Sequence, residues 1–277
     1  VGSEMCIRDR GEIMLHLATS SLTFDGFENN DYKCLFAHAA QTGYRRVEFN
    51  CWYGETLTPS RIRSIKERCR QNGLEPIALH VSAFGGSTSE IRALNAAHKL
   101  RAMEAACELG CSTVVASGMS EGTLDDIIYE LECVEKAAEE YKVKLSLENH
   151  CQNVLAGDKD YEYIFRRINS PYIGICLDGG HLEAHGEKTE TFIERFYPKI
   201  NHLHLKENLI FGTKSFCRFG CGGTDNVEMV KRMKDRGYSG YMSVELSPEI
   251  RENGNTVPFT AEDWEKPLQL YSFLEEE

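Results

Sequence analysis

Gly174-Ile175-Cys176-Leu177-Asp178-Gly179-Gly180-His181 decides how this chain is read. An apolar, β-like run ends in a carboxylate. Two glycines that permit φ > 0 in a sharp turn follow, and then a histidine. A barrel strand delivers a metal ligand to its loop face in this way.

Runs of the same kind recur from Met14 onward, separated by segments of helical period, which is the pattern of repeated βα units. Strands are predicted at Leu15 to Ala18, Arg46 to Phe49, Pro76 to His80, Ser112 to Ala116, Lys144 to Leu147, Ile173 to Leu177, Ile200 to Leu205 and Tyr241 to Leu246. Helices are predicted between and after them at Tyr32 to Gln41, Thr58 to Gln71, Ser89 to Leu109, Leu124 to Tyr141, Tyr161 to Ile168, Thr189 to Phe196, Asn226 to Asp235 and Ala261 to Phe273. Eight such units argue for an α/β fold of the closed (β/α)8 TIM barrel type in a single domain, which typically takes roughly 250 residues. The first strand runs into Thr19-Ser20-Ser21-Leu22-Thr23, with no glycine-rich phosphate fingerprint, so a dinucleotide-binding open sheet is set aside. The longest connection, Glu207 to Thr224, is glycine-rich and reads as a substrate loop.

The 277 residues carry a formal charge of −12, with 43 acidic against 31 basic side chains. That balance counts against a nucleic-acid partner, which requires clustered Lys and Arg. No apolar run approaches the ~20 residues of a membrane span. The 11 cysteines contain no CxxC pair, and several lie inside apolar runs, so they read as reduced thiols of a cytoplasmic protein. Cys217 and Cys221 lack a second pair that would close a zinc site. Residues 1–13 have no apolar period and read as a non-native or disordered extension, leaving 14–277 as the barrel.

In a barrel the residues closing the strands face the active site. The fifth strand ends in Glu148-Asn149-His150, the sixth in Asp178 with His181 beyond, the seventh carries His204, and the eighth carries Glu245. Three carboxylates and one imidazole form a mostly oxygen ligand set suited to Mn²⁺, Co²⁺ or Mg²⁺, with Zn²⁺ also compatible. Taken singly, each acid could be a solvated strand end. Four on adjacent strands point to one metal site. His202, two residues before His204, reads as a packed core residue one layer deeper, and Glu48 reads as structural. His80 closes the third strand and reads as a substrate contact or as support for the ligands. Trp52 and Phe84 follow strands two and three as pocket walls or as ordinary packing.

Residues 14 to about 275 resemble the xylose-isomerase-like sugar phosphate isomerase/epimerase barrels. The resemblance rests on Leu147-Glu148-Asn149-His150, Leu177-Asp178-Gly179-Gly180-His181, His202-Leu203-His204-Leu205-Lys206, Arg218 with Gly220-Cys221-Gly222, and Ser243-Val244-Glu245-Leu246. It implies that Glu148, Asp178, His204 and Glu245 hold the metal, that His181 and Arg218 contact substrate oxygens, and that Glu148 and Glu245 act as acid and base. The implied activity is isomerisation or epimerisation of a small sugar, sugar phosphate or related hydroxy-carbonyl compound through an enediolate.

Dehydration of an inosose-like or dehydroshikimate-like compound by the same groups stays open. The ketose 3-epimerases carry a further Glu where this chain has Val154, which weakens that particular assignment. An endonuclease-IV-like nuclease would need more histidines than Ala116-Ser117-Gly118 and Asp225-Asn226-Val227 provide. A non-catalytic sugar-binding barrel would have no need of both Glu148 and Glu245. A homo-oligomer is expected only by analogy.

Overall fold

The computed structural model describes residues 16–27, 30–252 and 254–274. The extension 1–13 and the start at Met14 lie outside the described residues, as does the first residue of the predicted first strand. Eight parallel strands close on themselves, each hydrogen-bonded to its neighbours in chain order and the first to the last. They are His16–Ser20, Arg46–Cys51, Glu75–Val81, Thr113–Ser117, Lys144–Glu148, Ile173–Asp178, Ile200–Leu205 and Tyr241–Val244.

Helices follow the strands on the outside, and Ser89–Leu109, Leu124–Tyr141, Thr189–Phe196 and Asn226–Asp235 coincide with the predicted spans. The helix read as Ala261 to Phe273 runs to Leu270, with Pro267 inside it, and is followed by a 3-10 turn, Ser272–Leu274. The helix read as Tyr161 to Ile168 starts earlier, at Asp158, where the Asp160 carboxylate accepts from the Gly157 amide.

Strand residues of one parity, such as Val47, Phe49, Leu145, Leu147, Leu203 and Leu205, pack outward in one continuous apolar core beneath the helices. The other parity faces the barrel axis and is polar towards the carboxyl ends: Glu48, Ser146, Glu148, Asp178, His202, His204 and Ser243, all buried. Register sets these side chains at matching heights, with Asp178 opposite His204 and His204 opposite Ser243. Period two within each strand and parallel register between strands are therefore enough to gather the chemistry at one end.

The long connection after the seventh strand is ordered. Glu207–Asn208 pairs with Phe216–Cys217 as a short hairpin, and the Glu207 carboxylate accepts from the amides of Gly220 and Gly222. A second hairpin, Arg251–Glu252 with Asn255–Thr256, follows the eighth strand. No helix among the described residues is long and apolar enough to cross a membrane. The ten described cysteines are all free.

Candidate metal centre and active site

The turn after Asp178 differs from its sequence reading. Gly179 and Gly180 do not adopt positive φ; they open a short helix, Gly179–His185, that the sequence did not announce. Their requirement is space: a Cβ on Gly180 would stand 2.6 Å from the Lys206 carbonyl oxygen, and one on Gly179 would stand 2.8 Å from Asn226 Oδ1. Asp178 caps this helix, Oδ1 accepting from the His181 amide at 2.8 Å. That leaves Oδ2 directed into the barrel. Asn149 fixes the neighbouring strand ends together by donating to the Asp178 carbonyl at 2.9 Å and accepting from its amide at 2.8 Å.

Glu148, Asp178, His204 and Glu245 each present a ligand atom within 4.8 Å of the others, and all four are buried. His204 Nδ1 lies 2.7 Å from Glu148 Oε1 and 3.9 Å from Glu245 Oε2. Glu245 Oε1 is buried without a hydrogen bond, and Asp178 Oδ2 is buried with the Lys206 ammonium 3.1 Å away. A donor set of oxygens and one imidazole nitrogen, with one buried oxygen unsatisfied, fits a hard or borderline divalent ion.

Glu48 enters the same cluster, contrary to its reading as a structural residue. Its Oε1 lies 3.0 Å from His204 Nε2, and its Oε2 lies 2.7 Å from His202 Nε2 and accepts from Ser243 Oγ at 2.8 Å. With His80, His204 and Glu245 it forms a second overlapping group of ligand atoms within 4.8 Å. His80 faces all three glutamates, 3.4 Å from Glu148 Oε2 and 3.8 Å from both Glu48 Oε1 and Glu245 Oε1. Trp52 stands edge-on to His80 with ring centroids 5.9 Å apart, while Phe84 is fully buried under the Lys99 ammonium and serves packing.

Lys206 is the residue that strand-end reasoning missed, although it follows His204 by two and so shares its face. Its buried ammonium lies 2.9 Å from Glu245 Oε2 and 3.1 Å from Asp178 Oδ2. Lys206 meets two of the four buried carboxylates, which leaves an excess of negative charge that a dication would relieve. Without an ion the imidazoles respond. Burial opposes charging of His204 and His80, but the surrounding carboxylates more than compensate, raising both above the usual histidine range. Burial likewise opposes ionisation of Glu48, Glu148 and Glu245. His204 and His202 outweigh it at Glu48, His80 and His204 at Glu148, and Lys206 and His204 at Glu245, so all three carboxyls fall below their usual range. Asp178 goes the other way, raised to about 6 chiefly by burial.

His181 is buried behind Asp178, packed 3.8 Å from the His150 ring and 4.7 Å from the Phe216 ring, with Nδ1 3.3 Å from the Cys151 amide. Burial first, then the nearby Lys206, holds its imidazole well below the usual range. Arg218 is not brought to the carboxylate cluster. Its guanidinium pairs with Glu252 at 2.9 Å and with Asp263, because the second hairpin and the C-terminal helix present acids on that side. It lines a cavity of about 580 Å³ between the two hairpins, together with Lys214, Phe216, Glu249, Ile250 and Arg251; none of the four clustered ligand residues lines it.

A family model described as xylose isomerase-like TIM barrel matches residues 36–267. Mannonate dehydratase of Thermotoga neapolitana is 30% identical over 137 residues, 44% of this chain and 38% of that protein. The chain therefore spans well under two thirds of the mannonate dehydratases that it matches. 3-oxo-isoapionate decarboxylase of Pectobacterium atrosepticum is 28% identical over 179 residues, 62% of this chain and 61% of that protein. Among solved structures, a D-tagatose 3-epimerase-like protein superposes with a TM-score of 0.73 at 23% identity, covering 94% of this chain and 97% of that one. The IOLI protein with a bound zinc atom gives 0.75 at 21% identity, covering 95% and 100%. At these identities the structural matches establish the fold alone.

Proposed function

The chain belongs to the xylose isomerase-like TIM barrel family, and on that premise we propose that it is a divalent-metal-dependent isomerase or epimerase of a small sugar-like hydroxy-carbonyl compound. The observation that carries this reading is the convergence of Glu148, Asp178, His204 and Glu245, from the ends of four adjacent strands, within 4.8 Å, with Glu245 Oε1 buried and without a hydrogen bond. A pure binding site would have no need to bury so many carboxylates together.

In this reading those four residues hold the ion, with Mn²⁺, Co²⁺ and Mg²⁺ favoured by the oxygen-rich set and Zn²⁺ compatible with it. A bound dication would polarise the carbonyl and acidify the neighbouring carbon-bound proton. Glu148 ends the fifth strand and Glu245 directly follows the eighth, so they flank a substrate from two sides. One removes the proton and the other returns it to the neighbouring carbon or to the opposite face. His80, on the solvent side of the cluster, and His181 contact substrate hydroxyls, and Arg218 reaches the substrate from the outer cavity. Lys206 stabilises oxygens that gain negative charge as the proton leaves.

Dehydration is the second reading, favoured by the similarity to mannonate dehydratase. The same base would remove the proton, and the β-hydroxyl would leave as water, taking a proton from the second glutamate, instead of a proton returning to carbon. One experiment tests the first reading: the protein loaded with Mn²⁺ is incubated in D₂O with a panel of ketoses, aldoses and sugar phosphates. The expected result is solvent deuterium in recovered sugar, abolished by chelator and by Glu245→Gln. Full exchange in Glu245→Gln would remove that residue as the base. Loss of water without exchange would favour the dehydratase.

A further inference from the structure

We infer that Cys176, His202 and His204 form a second metal site, one layer below the oxygen-rich cluster, which takes a thiophilic ion such as Zn²⁺ to the exclusion of the ion above; that an ion works in the upper set rests on the function proposed above. The three residues each offer a ligand atom within 4.8 Å of the others, and all three are fully buried. Cys176 and His202 stand opposite one another in register, each two residues before the pair Asp178 and His204, so they face the axis one step further from the mouth.

His202 has a buried nitrogen with no partner. Its Nε2 lies 2.7 Å from Glu48 Oε2, whereas its Nδ1 makes no hydrogen bond. Buried polar atoms are rarely left so, and a metal ion is one way to satisfy this one. His204 is held in the same manner, with Nε2 3.0 Å from Glu48 Oε1. One carboxylate thus engages the Nε2 of both rings, which leaves both to ligate through Nδ1.

Cys176 completes a set of one sulfur and two nitrogens. Such a set favours Zn²⁺ over Mn²⁺ or Mg²⁺, and three protein ligands suffice for zinc. The thiol binds as a thiolate, its proton passing to solvent water. Thiolate and Glu48 carboxylate then balance the two charges of the ion. His204 belongs to both ligand sets, and Glu48 occupies its Nε2, so a single Nδ1 must serve whichever ion is bound. Excess Zn²⁺ would therefore draw His204 out of the upper set and displace the ion held there.

The test uses Cd²⁺, a thiophilic substitute for Zn²⁺ whose bond to a thiolate gives an ultraviolet charge-transfer band. The full metal-free chain is titrated with it. The expected result is a band that saturates at one ion per chain, is lost in both Cys176→Ser and Cys176→Ala, and persists in Cys151→Ser. A band retained in folded Cys176→Ser, or no band in the unaltered protein, would overturn the site. In a second arm Cd²⁺ is added to the Mn²⁺-loaded protein, and released Mn²⁺ is read by electron paramagnetic resonance. One Mn²⁺ should leave for each Cd²⁺ bound, and Cys176→Ser should need at least about tenfold more Cd²⁺, the smaller end of the loss when a ligand's support is altered. Simultaneous binding of both ions would overturn the exclusion. Failure of the upper site registers separately, as absence of Mn²⁺ uptake with the Cys176 band intact.

Discussion

His204 Nε2 lies 3.0 Å from Glu48 Oε1, on the side of the imidazole opposite its Nδ1 contact with Glu148. An imidazole that ligates through Nδ1 carries its remaining proton on Nε2, and a carboxylate accepting that proton fixes the tautomer and ring orientation and raises ligand basicity. Glu48 is placed to do this, with His202 and Ser243 holding its second oxygen. Glu48→Gln is expected to weaken metal affinity by about 10- to 100-fold, measured by competition with a chelating dye. Unchanged affinity in a folded Glu48→Gln protein would make Glu48 a packing residue only.

Asp178 has two duties that substitution can separate. Oδ1 caps the helix Gly179–His185 and Oδ2 faces the cluster. Asn caps about as well as Asp, so Asp178→Asn should keep the stability of the metal-free protein to within about 1 kcal/mol while losing bound metal on dialysis. Asp178→Ala should lose the metal and about 1 kcal/mol more stability in urea unfolding. If Asp178→Asn retained a full equivalent of metal, Asp178 would not be a ligand.

The metal-free protein should lose stability as pH rises from 7 to 9. His204 and His80 are raised above the unfolded histidine value of 6.5, so what they contribute is fully present below pH 6.5 and is lost as pH climbs through their folded values. The depressed carboxyls Glu48, Glu148 and Glu245 contribute above the unfolded carboxyl value of 4.5 and change nothing in this window. A bound dication would replace the lost positive charge. Melting temperatures with and without saturating Mn²⁺ should therefore diverge from pH 7 to 9, and a flat metal-free curve would contradict this account of the cluster.

Gly180→Ala should be severely destabilising, because its Cβ would press on the Lys206 backbone, where no side chain can swing away. Overpacking against fixed backbone costs about 1–3 kcal/mol or more. It should also displace Lys206 from Asp178 and Glu245. Gly179→Ala meets side-chain atoms of Asn226 and Met229 and should be milder. Urea unfolding of the two variants gives the order, and a reversed order would mean that the strand carrying Lys206 yields more easily than the Asn226 side chain.

The barrel and the positions of Glu148, Asp178, His204 and Glu245 were legible in the sequence because their signals are local. An apolar run, a polar residue at its end and alternation along the strand are set within a few residues, and parallel register then stacks the ends. The short helix after Asp178 escaped because Gly179-Gly180 reads as a turn, whereas the tertiary need is for a helix without side chains against Lys206. The contact of His204 with Glu48 joins residues 156 apart, and nothing local to either announces the other. Closure of the barrel decides it, by bringing the second and seventh strands face to face across the axis. The same holds for Arg218, whose pairing with Glu252 of the second hairpin and Asp263 of the last helix joins residues 34 and 45 apart. Local periodicity determined which residues point inward; only the closed barrel, with its low-dielectric centre forcing every buried charge to find a partner, decided which of them meet.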